Sequence, residues 1–384
     1  MDTPFIYDRF VTGRDFVGRK NECNALSNLI AGGENVVIFE PPKTGKKSVI
    51  QNTLFNMNIK GKVSPVASLN MFNIRTCRDF LTRFGSAVIR SVASSPEECG
   101  EIVRTFLDGT HFVFDSQRFT SCDEAVSLNW DPDTNDMEKM AFLPFRIASL
   151  KETRLIVILD EFQTILADEA HWDLFKAMER VFKSVREGGN PPCSFIFCGS
   201  KVNAMKYIFE EHKFFYGLVN RIPLSTIEDR EIVEHIVRGF LQGGKVLEKE
   251  QALGACRLFR NNIWYLNHFF SICNSLSKGY MNEGIMTDAL GVILSIHEPK
   301  FISILDSLTD FQISLLKAVL EGVKKFSATD IIEKYSLNSS ANVKRLKDAL
   351  KKKEVITFDE NDEPVVLDPL FEYWARKYYF SLPV

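Results

Sequence analysis

Asn35-Val36-Val37-Ile38-Phe39-Glu40-Pro41-Pro42-Lys43-Thr44-Gly45-Lys46-Lys47-Ser48 is the stretch that decides the fold. Its first five residues are mostly apolar and lie between Gly32-Gly33 and a proline pair, too tightly bounded for a helix, so they read as a buried strand. Upstream, Cys23, Leu26 and Ile30 recur at helical spacing from Lys20 to Ile30, and the glycine pair ends that helix. Downstream, a helix-compatible segment runs to about Asn56. Strand, tight loop and helix together let consecutive backbone N–H groups at a helix N-terminus surround phosphate oxygens. Gly45-Lys46 is the pair such a loop requires, the lysine reaching the β- and γ-phosphates. Three positions depart from the pattern. Glu40 stands where a first glycine is expected and brings a carboxylate near a site for anions. Lys43 replaces a common glycine at a variable position. Lys47 replaces the Ser/Thr that ligates Mg²⁺, and an ammonium cannot ligate a cation. Ser48 follows about 100° further round the helix and does not simply substitute.

A second element supports the first. Leu155-Ile156-Val157-Ile158-Leu159-Asp160-Glu161 is a buried strand ending in two carboxylates, a Walker B pattern. There Asp160 would serve the Mg²⁺ shell and Glu161 would polarise an attacking water. The plain alternative is a strand that ends in two solvated acids. Between and beyond these motifs, strands expected at Val63–Leu69 and Ser194–Cys198 alternate with helices at Cys77–Val92 and His171–Val185. Residues 94–140 are irregular and read as an insertion with one or two helices, regular structure resuming at Met140. Alternation of this kind specifies an α/β fold with a parallel sheet covered on both faces. From about Ile227 the strand signals vanish and residues 229–298 read as helices. Residues 306–384 give three short helices, then a hairpin of Val355–Phe358 and Pro364–Leu367, the pattern of a winged helix-turn-helix. The helix after Ser339 carries Lys344, Arg345, Lys347 and Lys351, candidates for DNA or partner contact. The turn Asp359–Glu363 is acidic, however, and residues 307–384 hold 12 Lys+Arg against 12 Asp+Glu, so a protein-interaction role is an equal alternative.

Composition bounds the rest. The 384 residues exceed a single ordinary core, and 45% hydrophobic with 25% charged residues excludes a largely disordered chain. A net charge of -3 supplies no global attraction for nucleic acid or anionic lipid. The 32 Phe residues read as thick helical packing. The eight scattered Cys lack zinc-ligand spacing and read as buried thiols in a reducing compartment. No signal-peptide pattern opens the sequence and no apolar run approaches the roughly 20 residues that span a bilayer, so the expectation is a cytoplasmic protein without a membrane partner.

Several stretches converge on one family. Phe16-Val17-Gly18-Arg19, Asp160-Glu161-Phe162-Gln163 and Asp368-Pro369-Leu370-Phe371-Glu372-Tyr373-Trp374 resemble the archaeal-type ATPases, AAA+-related members of the STAND class of signalling ATPases. Pro41, Pro42 and Thr44 also sit as in the proline-rich AAA+ version of the phosphate loop, and Leu143–Ala148, Gly199-Ser200 and Tyr216-Gly217 agree. The resemblance implies a P-loop NTPase, AAA+-like parallel-sheet domain over residues 1–226, a helical lid over 227–300 and a winged helix over 301–384. It implies ATP as ligand, held by Val17, Gly18, Arg19, Pro42, Lys43, Thr44, Gly45, Lys46, Lys47 and Ser48, with Mg²⁺ at Asp160 weighed against by Lys47. Glu161, Ser200 in the sensor position and Arg221 near the γ-phosphate complete the implied catalytic set. For Arg221 a surface arginine capping the Gly217–Leu224 segment is an equal alternative; Arg260 is a candidate second sensor. The function expected is an ATP-binding signalling ATPase that couples nucleotide state to a winged helix contacting DNA or protein, with a nucleotide-dependent homo-oligomer as a further expectation. The alternatives are a pseudo-ATPase sensor or scaffold with little hydrolysis, and a DNA binder that has lost nucleotide binding.

Overall fold

The computed structural model describes residues 4–122 and 124–384. It divides into two compact units, one of Lys20–Glu40 and Val49–Leu224, the other of Met1–Arg19, Pro41–Ser48 and Ser225–Val384.

The first unit contains strands the sequence specified and strands it did not. These are β1 (Asn35–Phe39), β2 (Val66–Asn70), β3 (Phe112–Val113), β4 (Ser127–Leu128), β5 (Leu155–Asp160), β6 (Cys193–Gly199) and β7 (Val219–Arg221). Five of them form a parallel sheet in the order β2-β5-β6-β1-β7. The central strands β1 and β6 are buried along their whole length, as continuous apolar runs require. β7 was not expected: three residues of mixed polarity at a sheet edge carry almost no periodic signal. Asn35 is a buried amide at the start of β1. Its Nδ2 donates to the Leu218 carbonyl and its Oδ1 accepts from Phe195 N–H, so its burial is compensated and it ties β1 to its neighbours.

The Phe residues cluster around this sheet more than in helical packing. Phe195 and Phe197, two apart on β6, lie 6.0 Å apart and meet Phe145, Phe182, Phe84, Phe162 and Phe215 from the covering segments. The insertion holds helices Pro96–Phe106 and Ser116–Cys122 and the two-residue ladder β3–β4. The helix after it begins at Thr134, earlier than Met140, because Asp133 and Asp136 form a capping box that starts it.

The second unit is helical: Asp229–Gln242, Lys249–Leu258, Ile263–Leu276, Glu283–Asp306, Asp310–Leu320, Thr329–Lys334, Ser340–Lys352 and Pro369–Trp374, with the hairpin β8 (Ile356–Phe358) and β9 (Pro364–Val366). Three helices followed by a hairpin is the expected winged helix. Ser339 caps the basic helix, its side chain accepting from Asn342 N–H at 3.2 Å. The helix Glu283–Asp306 passes through the expected 300/301 boundary, and one apolar core continues from Phe240 and Phe269 to Leu350 and Trp374. By sequence, Trp374, Tyr378 and Tyr379 are expected to pack the final helix on the α/β core; Trp374 packs instead on the helix Glu283–Asp306, its ring 5.6 Å from Phe301 and its Nε1 donating to Glu298. Tyr378 and Tyr379 are about half exposed. The N-terminal arm is fixed by Phe5, which sits 4.9 Å from Phe240 over Gly239, where any Cβ would lie 2.7 Å from the ring.

Candidate functional site

The loop Pro41–Gly45 leads into the helix Lys46–Ile59 and is drawn tight by its own side chains. Thr44 Oγ1 and Lys46 Nζ each donate to the Pro41 carbonyl at 2.8 Å, leaving Lys46 largely buried at the helix N-terminus. Gly45 has φ +90, and a Cβ there would stand 3.0 Å from Arg19 Nη1, so glycine is required twice over. Arg19 itself donates to the Thr44 carbonyl and to the Ser225 carbonyl, clasping the loop from outside. Gly18, at φ +66, lies against Ile227, where a Cβ would come within 2.7 Å. Val17, Phe16, Ile227, Ile263 and Trp264 line a cavity of about 60 Å³ that reaches Gly45 and Ser48. An apolar recess beside a phosphate loop has the chemistry to receive a nucleobase.

Each departure in the loop has a definite place. The Glu40 carboxylate accepts from Leu224 N–H at 3.2 Å, an engagement with backbone that partly offsets its charge. Lys43, at φ +67, turns its ammonium over the Trp264 ring at 3.7 Å, with Tyr265 at 5.2 Å. Lys47 is exposed on the first turn of the helix. The Ser48 hydroxyl accepts from Val11 N–H at 3.2 Å. The loop therefore has the turn and helix N-terminus of a phosphate-loop pattern, but places the exposed Lys47 where that pattern has a Ser/Thr hydroxyl.

Asp160 and Glu161 close β5. Glu161 takes the left-handed conformation at φ 57, strain of the kind that survives where surrounding contacts impose it. Its Oε2 accepts from Gln163 Nε2 at 2.5 Å and from the Ser200 hydroxyl at 2.6 Å, so two donors converge on one oxygen. Gly199 permits this convergence, because a Cβ there would lie 2.7 Å from Gln163 Oε1. Held by two donors, the carboxylate is oriented as a base or water-positioning group must be. Arg221, on β7, is ion-paired with Glu210 and lies 4.2 Å from the Phe39 ring.

Solved structures of similar fold exist. A Walker-type ATPase of Pyrococcus abyssi superposes with a TM-score of 0.67 at 15% identity, over 96% of this chain and 99% of that one. The Aeropyrum pernix ORC2 protein, solved in ADPNP-ADP complexes, gives 0.58 at 16% identity over 96% and 93%. The chain has the Walker-type, AAA+ ATPase fold. Residues 299–377 also match a family described as "Probable winged helix domain", so the fold carries a C-terminal winged helix. No protein of curated function matches the sequence.

On the winged helix of this Walker-type chain, Lys344 and Arg345 are exposed, whereas Lys347 is partly buried. Lys347 pairs with Asp362 at 3.4 Å and lies 4.1 Å from Phe358, and Lys324 pairs with Glu363 at 2.7 Å. The acidic turn is thus partly neutralised from within. Arg260 is ion-paired with Glu372. The sequence reading missed the environment of Lys43. Asp368-Pro369 is part of a motif, but His268, His297 and Lys300 sit at isolated positions that only folding brings beside Trp264, Tyr265 and Asp368.

This neighbourhood also sets a pH dependence. Burial lowers His297 to about 4, with the charge of Lys43 acting in the same direction; burial likewise lowers His268 and His235. A histidine depressed in the folded state contributes stability that is complete above its unfolded pKa and lost as pH falls toward the folded value. His111, raised by its hydrogen bond to Asp136, acts in the opposite sense. The urea midpoint is therefore expected to fall between pH 7 and pH 4.5, His297 alone contributing on the order of 2 kcal/mol after solvent screening. A midpoint that is flat over this window, followed by circular dichroism, contradicts the placement of the three histidines.

Proposed function

We propose that this chain is a nucleoside-triphosphate-binding switch of slow turnover, whose nucleotide state is passed to its winged helix. The observation that carries the reading is the loop itself: a Lys46 ammonium held at a helix N-terminus beside Gly45 at φ +90, on a Walker-type fold. ADPNP and ADP occupy the ORC2 protein of the same fold, and ATP is the ligand we assign here. Lys46 and the loop amides would hold the phosphates, and the recess at Val17 the base. Glu161, oriented by Ser200 and Gln163, is the carboxylate of its own unit that we assign to positioning a water. Because the loop lacks the hydroxyl ligand, no step is assigned to Mg²⁺. Arg221, ion-paired with Glu210, is given no step.

The test is ATP binding by calorimetry with Mg²⁺ and with EDTA, followed by phosphate release in the same sample. The expected result is binding that changes less than threefold on removing Mg²⁺, with turnover well below the ordinary enzyme range of about 1 s⁻¹ and above. Lys47→Thr is expected to make binding Mg²⁺-dependent and to raise turnover. An ordinary turnover that Lys47→Thr reduces refutes slow hydrolysis, and absence of ATP binding refutes the switch.

For the winged helix we favour a protein partner over duplex DNA, because Lys347 and Lys324 are engaged by the wing's own carboxylates. The signalling role implied by the family resemblance, the domain limits at 226/227 and 300/301, and nucleotide-dependent self-association belong to the same proposal. Among the described residues no helix is long and apolar enough to cross a membrane.

A further inference from the structure

Lys43 departs from the phosphate-loop pattern with a side chain that reaches far across its unit. Its ammonium lies over Trp264 at 3.7 Å, an arrangement favourable when the cation is desolvated. Around it stand Tyr265, His268, His297, Lys300 and Asp368. Trp264 is 5.2 Å from His268 and 5.8 Å from His297, and the two histidines are 5.6 Å from each other, so the aromatic rings form a continuous wall. Among the described residues, His268 Nδ1 and His297 Nε2 are buried in that wall with no hydrogen-bond partner.

The far side of the wall belongs to the winged domain. The single Tyr265 O–H is shared between the two Asp368 oxygens, at 2.9 and 3.0 Å, and Lys300 Nζ donates to Asp368 at 2.9 Å. Asp368 in turn caps the helix Pro369–Trp374, accepting from Leu370 and Phe371 N–H. Tyr265 thus touches the loop lysine with its ring and the cap of that helix with its hydroxyl.

We propose that Lys43 is a nucleotide-sensing residue, for which the Trp264–Tyr265 wall and the phosphates of a bound nucleoside triphosphate compete. This rests on the assignment of the loop as the nucleotide site. The competition is finely balanced. Burial lowers Lys43 to about 8, Lys300 adding repulsion that Asp368 only partly offsets, so the held ammonium is poorly compensated where it is. A polyphosphate offers it charge-assisted hydrogen bonds at the end of the same loop. When the ammonium leaves, Tyr265 loses the cation on its face, and its bond to Asp368 loosens the helix cap.

The test is hydrogen exchange with mass spectrometry on the full chain, with EDTA, with and without ATP, read at the amides of Leu370 and Phe371. In the wild type, saturating ATP is expected to speed exchange there at least threefold. Lys43→Met keeps an apolar stem over Trp264 but no charge. Without nucleotide it is expected to exchange at least threefold faster than the wild type, and ATP is expected to change it no further. Lys43→Arg is expected to restore both the slow basal rate and the response. Calorimetry on the same samples separates the two ideas: absent ATP binding refutes the nucleotide site. Lys43→Met exchange equal to wild type without nucleotide, or an unaltered ATP response in Lys43→Met, overturns the sensing role whether or not ATP binds.

Discussion

Lys46→Ala is expected to weaken ATP binding at least about a hundredfold while leaving the fold intact. Charge-assisted hydrogen bonds contribute about 1.5–3 kcal/mol each, so an ammonium that engages two phosphate oxygens accounts for about 3–6 kcal/mol, two or more decades of affinity. The same substitution removes from the protein itself the bond to the Pro41 carbonyl. Thr44 Oγ1 also donates to that carbonyl, so its acceptor capacity is not stranded, and the stability change is expected to stay near 1 kcal/mol. Calorimetric titration paired with a thermal melt separates the two effects. ATP affinity within threefold of the wild type would show that the loop lysine does not face the nucleotide.

Asp368→Ala is expected to lower stability by about 3 kcal/mol. Asp368 receives four hydrogen bonds: one from the single Tyr265 O–H, shared between its two oxygens, one from Lys300 and two from the backbone it caps. Although burial alone would raise its pKa, Lys300 and these hydrogen bonds hold its carboxyl below the usual carboxylate range. Loss of a cap costs about 1 kcal/mol, and stranding a half-buried ammonium and a buried phenol adds the rest. Asp368→Asn, which retains the shape and part of the hydrogen bonding, is expected to cost about half as much. Urea unfolding monitored by tryptophan fluorescence provides the comparison; an alanine variant within 0.5 kcal/mol of the wild type would mean that this cluster does not hold the last helix.

How much the sequence disclosed depended on where each signal was local. The strands β1, β5 and β6 were legible because their apolar runs are bounded by Gly, Pro or acids within a few residues. The capped basic helix and its hairpin were legible for the same reason. The convergence of Gln163 and Ser200 on Glu161 was not, since the residues are individually ordinary and meet only through the turn after β5 and the end of β6. Trp374 was misplaced because its apolar face says that it packs but not on what. Lys43 was read as a tolerable substitution, since position alone cannot reveal a side chain that leaves its loop for an aromatic ring in a helix more than two hundred residues later.

The helix Glu283–Asp306 has a mechanical meaning. Its 24 residues make a rod about 36 Å long. It passes through Pro299, which lacks an N–H for its intrahelical bond yet does not end the helix. A tilt of about ten degrees at its first turn would carry its last turn by about 6 Å, nearly the width of a helix radius with side chains. A small repacking near its beginning would thus reach Asp306 as a large swing, multiplied by leverage alone and with no need for a flexible joint along the way.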